Sequence, residues 1–169
     1  AVLKKCLLKE DETVIAVPDG VTTIGFRSFL GCSSLCSIEI PNSVTSIEQE
    51  AFSGCSSLRS ITIPKSVTNI DNIALVVCSG LESITVDPKN KIYMSKGNCL
   101  IEKKSKTLIA GCANSVIPLD GSVTSIAPYA FYGCSKLENI TIPNSIKSIG
   151  DCTFRDCSGL RSITLPNSI

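Results

Sequence analysis

Ten cysteines and not one histidine set the chemistry open to this 169-residue chain. A zinc site needs four converging ligands, most often held in C-x-x-C pairs. Cys32-x3-Cys36 and Cys152-x4-Cys157 do not have that spacing, and no imidazole is present to complete a set. The same absence removes the Ser-His-Asp and Cys-His arrangements and the imidazole general base. Carboxylates are scattered without a recurring pair, and no glycine-rich phosphate loop appears. The sequence therefore predicts no catalytic residue, no cofactor and no metal.

The cysteines instead report order. Cys32, Cys55, Cys78, Cys134 and Cys157 occupy one phase of a repeat, whereas Cys6, Cys36, Cys99, Cys112 and Cys152 are irregular. In-phase thiols predict an interior column in which each acts as a small hydrophobe with a weak S–H donor. Disulfide connectivity does not follow from the spacing.

That phase belongs to a longer phrase. Pro18, Pro41 and Pro64 stand 23 residues apart, as do Pro143 and Pro166. From Pro41 the chain continues through Val44, Ile47, Ala51-Phe52, Cys55, Leu58, Ile61 and Ile63. Copies from Pro18, Pro64, Pro118 (after a two-residue expansion) and Pro143 carry matching apolar positions. The core composition agrees: 43% of residues are hydrophobic but only 5% aromatic, so Ile, Val and Leu must fill the interior. Such residues suit strands. Ordering each residue costs about 1–2 kcal/mol, more than one copy recovers alone, so the copies must stack and cover one another.

Within a copy, Ile61-Thr62-Ile63 alternates inward and outward and reads as a short strand. Aligned strands would form a parallel sheet at about 4.8 Å spacing, and the following Pro stops each one. Val44–Ile47 reads as a second extended piece, and Glu48–Phe52 as one helical turn on the outer side.

Leu58-x-x-Ile61-x-Ile63, with Ala51-Phe52 and Cys55 before it, resembles the BspA-like class of leucine-rich repeats. The resemblance covers about four-fifths of the chain. It implies an α/β repeat solenoid, a right-handed, curved, β-rich superhelix with strands on the concave face. It also implies a secreted or surface protein of a host-associated microbe, active in adhesion and protein binding.

Residues 1–17 are expected to form an N-terminal hairpin module and 18–86 a first block of three repeats. Residues 87–117 read as an irregular hairpin insertion, and 118–169 as a second block, all in one continuous domain. In the insertion, Cys99–Glu102 and Thr107–Ala110 suit antiparallel strands around the basic tip Lys103-Lys104-Ser105-Lys106. Cys6-Leu7-Leu8 with Thr13–Ala16 resembles this pair and is expected to be the same module. The insertion reads as a projecting contact element or as a spacer between coils. The closing phrase Pro166-Asn-Ser-Ile169 starts a further repeat, so the natural chain is expected to continue, or this end to be covered by a partner or another copy.

By alternation, an outward strip holds Ser37 and Glu39, Ser60 and Thr62, Ser83 and Thr85, Asn139 and Thr141, and Ser162 and Thr164. Arg59, Glu82, Glu138 and Arg161 border it. This polar strip lacks the aromatic anchors of tight interfaces and would gain strength by repetition; the plainer reading is a solvated sheet face. Asn139-Ile140-Thr141 fits a glycosylation acceptor, which its place in a strand makes a coincidence. Sixteen basic against fifteen acidic residues leave no surplus for phosphate, so nucleic acid is not an expected partner. No apolar run reaches the roughly 20 residues of a membrane span. The expected partner is a protein, such as a host surface or matrix protein, met outside the cell or at its surface. The alternative is an intracellular scaffold with reduced thiols.

Overall fold

In the copy that begins at Pro41, Val44, Ile47, Ala51, Phe52, Cys55, Leu58, Ile61 and Ile63 are all buried at 1% exposure or less. Their spacing puts every one on the inside of a single turn of chain. The computed structural model, which describes residues 1–5, 13–167 and 169, is a parallel β-solenoid assembled from such turns.

Among the described residues the strands are β1 (Val2–Leu3), β2 (Val14–Ala16), β3 (Thr23–Ile24), β4 (Ser37–Glu39), β5 (Ser46–Ile47), β6 (Ser60–Ile63), β7 (Asn69–Ile70) and β8 (Ser83–Val86). Then follow β9 (Tyr93–Lys96), β10 (Cys99–Glu102), β11 (Thr107–Ala110), β12 (Ser125–Ile126), β13 (Asn139–Thr141), β14 (Ser148–Ile149) and β15 (Ser162–Thr164). One side of the coil stacks the strands that precede each proline: β2 on β4, β6 on β8 and β13 on β15, all parallel. We call this side the strand face. A second side stacks the two-residue strands in the order β1-β3-β5-β7 and, farther along, β12 and β14 beside the four-residue β11. Equivalent residues pair, as Ile61 with Ile84 and Ile47 with Ile70.

The third side is made of turns, and here the expected helical turn does not form. No helix occurs among the described residues, so the fold is a β-solenoid and the α/β expectation is corrected. Glu50 and Gly54 both sit at positive φ, 54° and 75°, a region that cannot continue a right-handed helix. The N–H groups of Phe52 and Gly54 donate across to Ala74 O and Val76 O of the next coil. Bonds that a helix would make internally are spent on stacking.

The segment after Val86 keeps the expected antiparallel pair of Cys99–Glu102 with Thr107–Ala110 but not the expected place outside the coil. β10 runs antiparallel to both β9 and β11, while β11 joins β12 in parallel, Thr107 opposite Ser125. Strand β10 is buried on both faces: Leu100 packs into the core of the preceding coils, and Cys99 and Ile101 into that of the following ones. A strand buried on both faces reads as continuously apolar, as Cys99-Leu100-Ile101 does. The segment is thus a wall through the interior of the rod and not an insertion hung from it; its longest exposed stretch is the four-residue tip Lys103–Lys106.

The N-terminal segment that resembles it takes a different place in the coil. Val14–Ala16 pairs in parallel with Ser37–Glu39 on the strand face, whereas Thr107–Leu108 belongs to the second side. Pro18 closes β2 one residue after Val17, as Pro64 closes β6, and that stop fixes the register. The stretch Cys6–Leu8 lies outside the described residues. At the far end, Ile163 and Leu165 stand at inward positions yet are 40% and 57% exposed, since no further coil covers them among the described residues.

Candidate functional site

The alternating pattern turns one row of side chains outward along the strand face. Thr62, Thr85 and Thr141 are exposed between buried apolar neighbours, and Thr164 between the exposed Ile163 and Leu165. Register makes columns of them. The Thr62 and Thr85 hydroxyls lie 2.8 Å apart, and the Thr85 hydroxyl also donates to Ile61 O at 3.4 Å. Ser60 stands opposite Ser83, whose hydroxyl donates to Asn98 Oδ1 at 3.3 Å. Ser162 donates to Asn139 Oδ1 at 2.6 Å, and Thr141 stands opposite Thr164.

Charges form the border. Arg59 Nη1 donates to Glu82 Oε1 at 2.8 Å, and Lys136 approaches the same oxygen at 3.7 Å. Both contacts are solvent-facing, so each contributes at most about 1 kcal/mol. Glu138 and Arg161 are exposed, as is Glu39 beside the half-buried Ser37.

The structure brings these residues together in two groups, not one. Ser37, Glu39, Arg59, Ser60, Thr62, Glu82, Ser83 and Thr85 precede the interior wall; Glu138, Asn139, Thr141, Arg161, Ser162 and Thr164 follow it. Between them runs a segment that the sequence reading missed. Val116 and Leu119 are 68% and 77% exposed there, beside a groove of about 290 Å³ bounded on its other side by Asn139, Ile140 and Thr141. The signal is a worn copy of the repeat phrase. Cys112-x-x-Ser115-x-Ile117-Pro118 stands for Leu-x-x-Ile-x-Ile-Pro, with Cys112, Ser115 and Ile117 all buried. In that frame Val116 takes the outward place that threonine holds in neighbouring coils.

Four of the five in-phase cysteines form an interior column, with Cys32 half-buried at its end. Thiols of Cys55, Cys78, Cys134 and Cys157 donate to carbonyls of Phe29, Phe52, Gly111 and Phe131, one coil back, at 3.1–3.6 Å. Burial pushes the Cys55 thiol up to about 12, and those of Cys78 and Cys134 higher still. Such thiols stay protonated and unreactive. Cys99 is likewise raised to about 12 by burial. The nine described cysteines are free thiols, and no group of metal-ligating side chains gathers among the described residues. Asp120, which closes the expanded loop after Pro118, accepts from Lys96 and Ser122, and these bonds hold its carboxyl far below the usual range.

A model of the BspA-type leucine-rich-repeat region matches residues 3–117 and 102–169, in six copies. The chain belongs to that family. A leucine-rich cell surface protein of Faecalibacterium prausnitzii A2-165 matches this BspA-type chain with 33% identity and a TM-score of 0.78, over 92% of this chain and 42% of its own. The pneumococcal vaccine antigen PcpA matches with 26% identity and a TM-score of 0.81, over 92% of this chain and 40% of its own. The chain thus spans about two fifths of either structure. No curated protein matches the sequence. No helix among the described residues is long and apolar enough to cross a membrane.

Proposed function

We propose that this BspA-type chain is a protein-binding, adhesion-type module of a secreted or cell-surface protein, with the strand face as its contact surface. The observation that carries the reading is the in-register display on that face. Outward Ser, Thr and Asn side chains repeat coil after coil beside the charges of Arg59, Glu82, Glu138 and Arg161, with Val116 and Leu119 set between the two groups. Hydroxyls already bonded to one another are held in fixed positions, so binding them costs little further ordering. The names of the two structural relatives, a cell surface protein and a vaccine antigen, support placement at the surface. The chain acts without catalysis in this reading, and its partner is a host surface or matrix protein. The exposed Ile163 and Leu165 give it an apolar end on which a second copy stacks.

The test is binding of the chain and of its Arg59→Ala and Arg161→Ala variants to immobilised matrix proteins, fibronectin and collagen among them, at low and high salt. Binding that weakens at least threefold in either variant supports the strip. Binding that persists unchanged in the double variant overturns it.

A further inference from the structure

The strand face contains an open seam. Glu138 O accepts from Arg161 and Ser162, and Ile142 N donates to Thr164 O. Backbone groups of a strand alternate sides, so those of 138, 140 and 142 serve β15, and those of Asn139 and Thr141 face the preceding coil. What they face is 113–117. There the Val116 N–H donates away from the seam, to Gly97 O at 2.8 Å, which leaves Ser115 and Ile117 facing β13. Among the described residues, no backbone hydrogen bond joins 113–117 to 138–141. The groove described above fills this interval.

Ser115 explains why the sheet parts here. Its hydroxyl accepts from Cys112 N at 2.8 Å and donates to Asn98 O at 2.7 Å. The second bond holds the segment against the bend between β9 and β10, and the first fixes the hydroxyl that makes it. An isoleucine at this position, as in the other copies, would have no such tether.

We propose that this seam receives an extended segment of a partner protein, about five residues long, added as a strand between 113–117 and β13. This rests on the reading of the strand face as the contact surface. Ile117 and Thr141 turn backbone groups with no partner strand toward the seam, and an extended polypeptide can pair with such groups. The floor, Ile117 and Ile140, is buried and apolar, so alternate inward side chains of the guest are apolar and β-branched, as in the chain's own Ser60–Ile63. Val116 and Leu119 cover its outer flank.

The probe is acetyl-Ser-Ile-Thr-Ile-Thr-amide, titrated into the ¹⁵N-labelled chain. In the free chain, the amides of Asn139 and Thr141 are expected to exchange at least tenfold faster than that of Ile140. The peptide is expected to shift and protect the amides of Asn139, Thr141 and Ile117. Peptide N-methylated at alternate amides is expected to bind at least tenfold more weakly. Thr141→Pro removes an N–H that pairs with nothing in the free chain, an edge position where proline is tolerated. It is expected to keep the parent melting temperature and lose peptide binding tenfold or more. Protection of Thr141 equal to that of Ile140 in the free chain overturns the seam. Equal binding of the N-methylated peptide overturns strand addition. Protection that appears without peptide, on raising the chain concentration, assigns the seam to a second copy and overturns the partner. Failure of the arginine variants to matter would remove the charged border and leave these amide readouts standing, so the two proposals fail separately.

Discussion

The Val77 N–H donates to the Tyr132 carbonyl at 2.9 Å, although the whole of the interior wall lies between them in the chain. On the turn side, the third and fourth repeats are direct neighbours, while on the second side β9, β10 and β11 stand between them. Extra strands on one side and none on the opposite side make this segment a wedge in the stack.

Val77 carries the cost of that junction. It adopts φ 59° in a column whose other members are Gly31, Gly54, Gly133 and Asp156. A β-branched residue in the left-handed region is strained by about 1–2 kcal/mol. Val77→Gly is expected to stabilise the chain by about 1 kcal/mol, after the entropic cost of glycine, read as a higher urea midpoint. Gly133→Ala is expected to do the reverse by about 2 kcal/mol or more, because its Cβ would lie 2.6 Å from Val77 Cα at φ 76°. A lower midpoint for Val77→Gly would remove the strain argument.

Ser115 should matter out of proportion to its size. Replacing it with alanine leaves Cys112 N–H and Asn98 C=O, which now share its hydroxyl, without that partner in a buried setting. The expected loss is about 2 kcal/mol, measured by denaturant unfolding. A loss below about 0.5 kcal/mol would mean that the tether does not hold the segment in place.

Asn90 begins the wall and is buried at 1% exposure. Its amide nitrogen donates to Pro64 O and Val67 O, and its oxygen accepts from Ile92 N and Tyr93 N, all at 2.8–2.9 Å. Four bonds made by one side chain join the third repeat to the wall. Asn90→Ala is expected to cost about 3 kcal/mol, against under about 0.5 kcal/mol for the adjacent exposed Lys89→Ala. Similar midpoints for the two variants would show that the junction is held elsewhere.

How much of this was legible follows from which residues repeat. The coil, its strands and its thiol column were readable because Pro41, Phe52, Cys55 and Ile61 recur at a fixed interval and each recurrence has one physical cause. The missing helix was not, because Glu50 is an ordinary helix former locally and only the carbonyls of the next coil draw the chain out of that conformation. The interior wall was misread because Cys99-Leu100-Ile101 has no alternation to show which face is buried, and both are. The outward strip was legible residue by residue, but Val116 and Leu119 were not. Cys112 and Ser115 stand where Leu and Ile mark the phrase elsewhere, so the coil they belong to went unrecognised.

Alkaline pH should unfold the chain through its thiols. A raised folded value means that the neutral thiol is favoured by the fold, so its stabilisation is complete below the ordinary value of 9.0 and is lost as pH rises above it. For Cys55 the loss runs from about 9 to about 12, with Cys78 and Cys134 shifted in the same direction. Unfolding midpoints are expected to be flat from pH 6 to 8 and to fall steeply above 9, less steeply in Cys55→Ala. An equal slope in that variant would place the alkaline transition on other groups. At neutral pH, iodoacetamide is expected to modify the exposed Cys152 well before any member of the column.

Direct stacking of coils across the wall underlies the whole account, since it is what makes one continuous rod of two repeat blocks. Amide hydrogen exchange at Val77 measures it. The account predicts protection of the Val77 amide comparable to that of Phe52 and Phe131, whose N–H groups bond to the next coil on the same side. Exchange of Val77 at the rate of an exposed loop, with Phe52 and Phe131 protected, would contradict it.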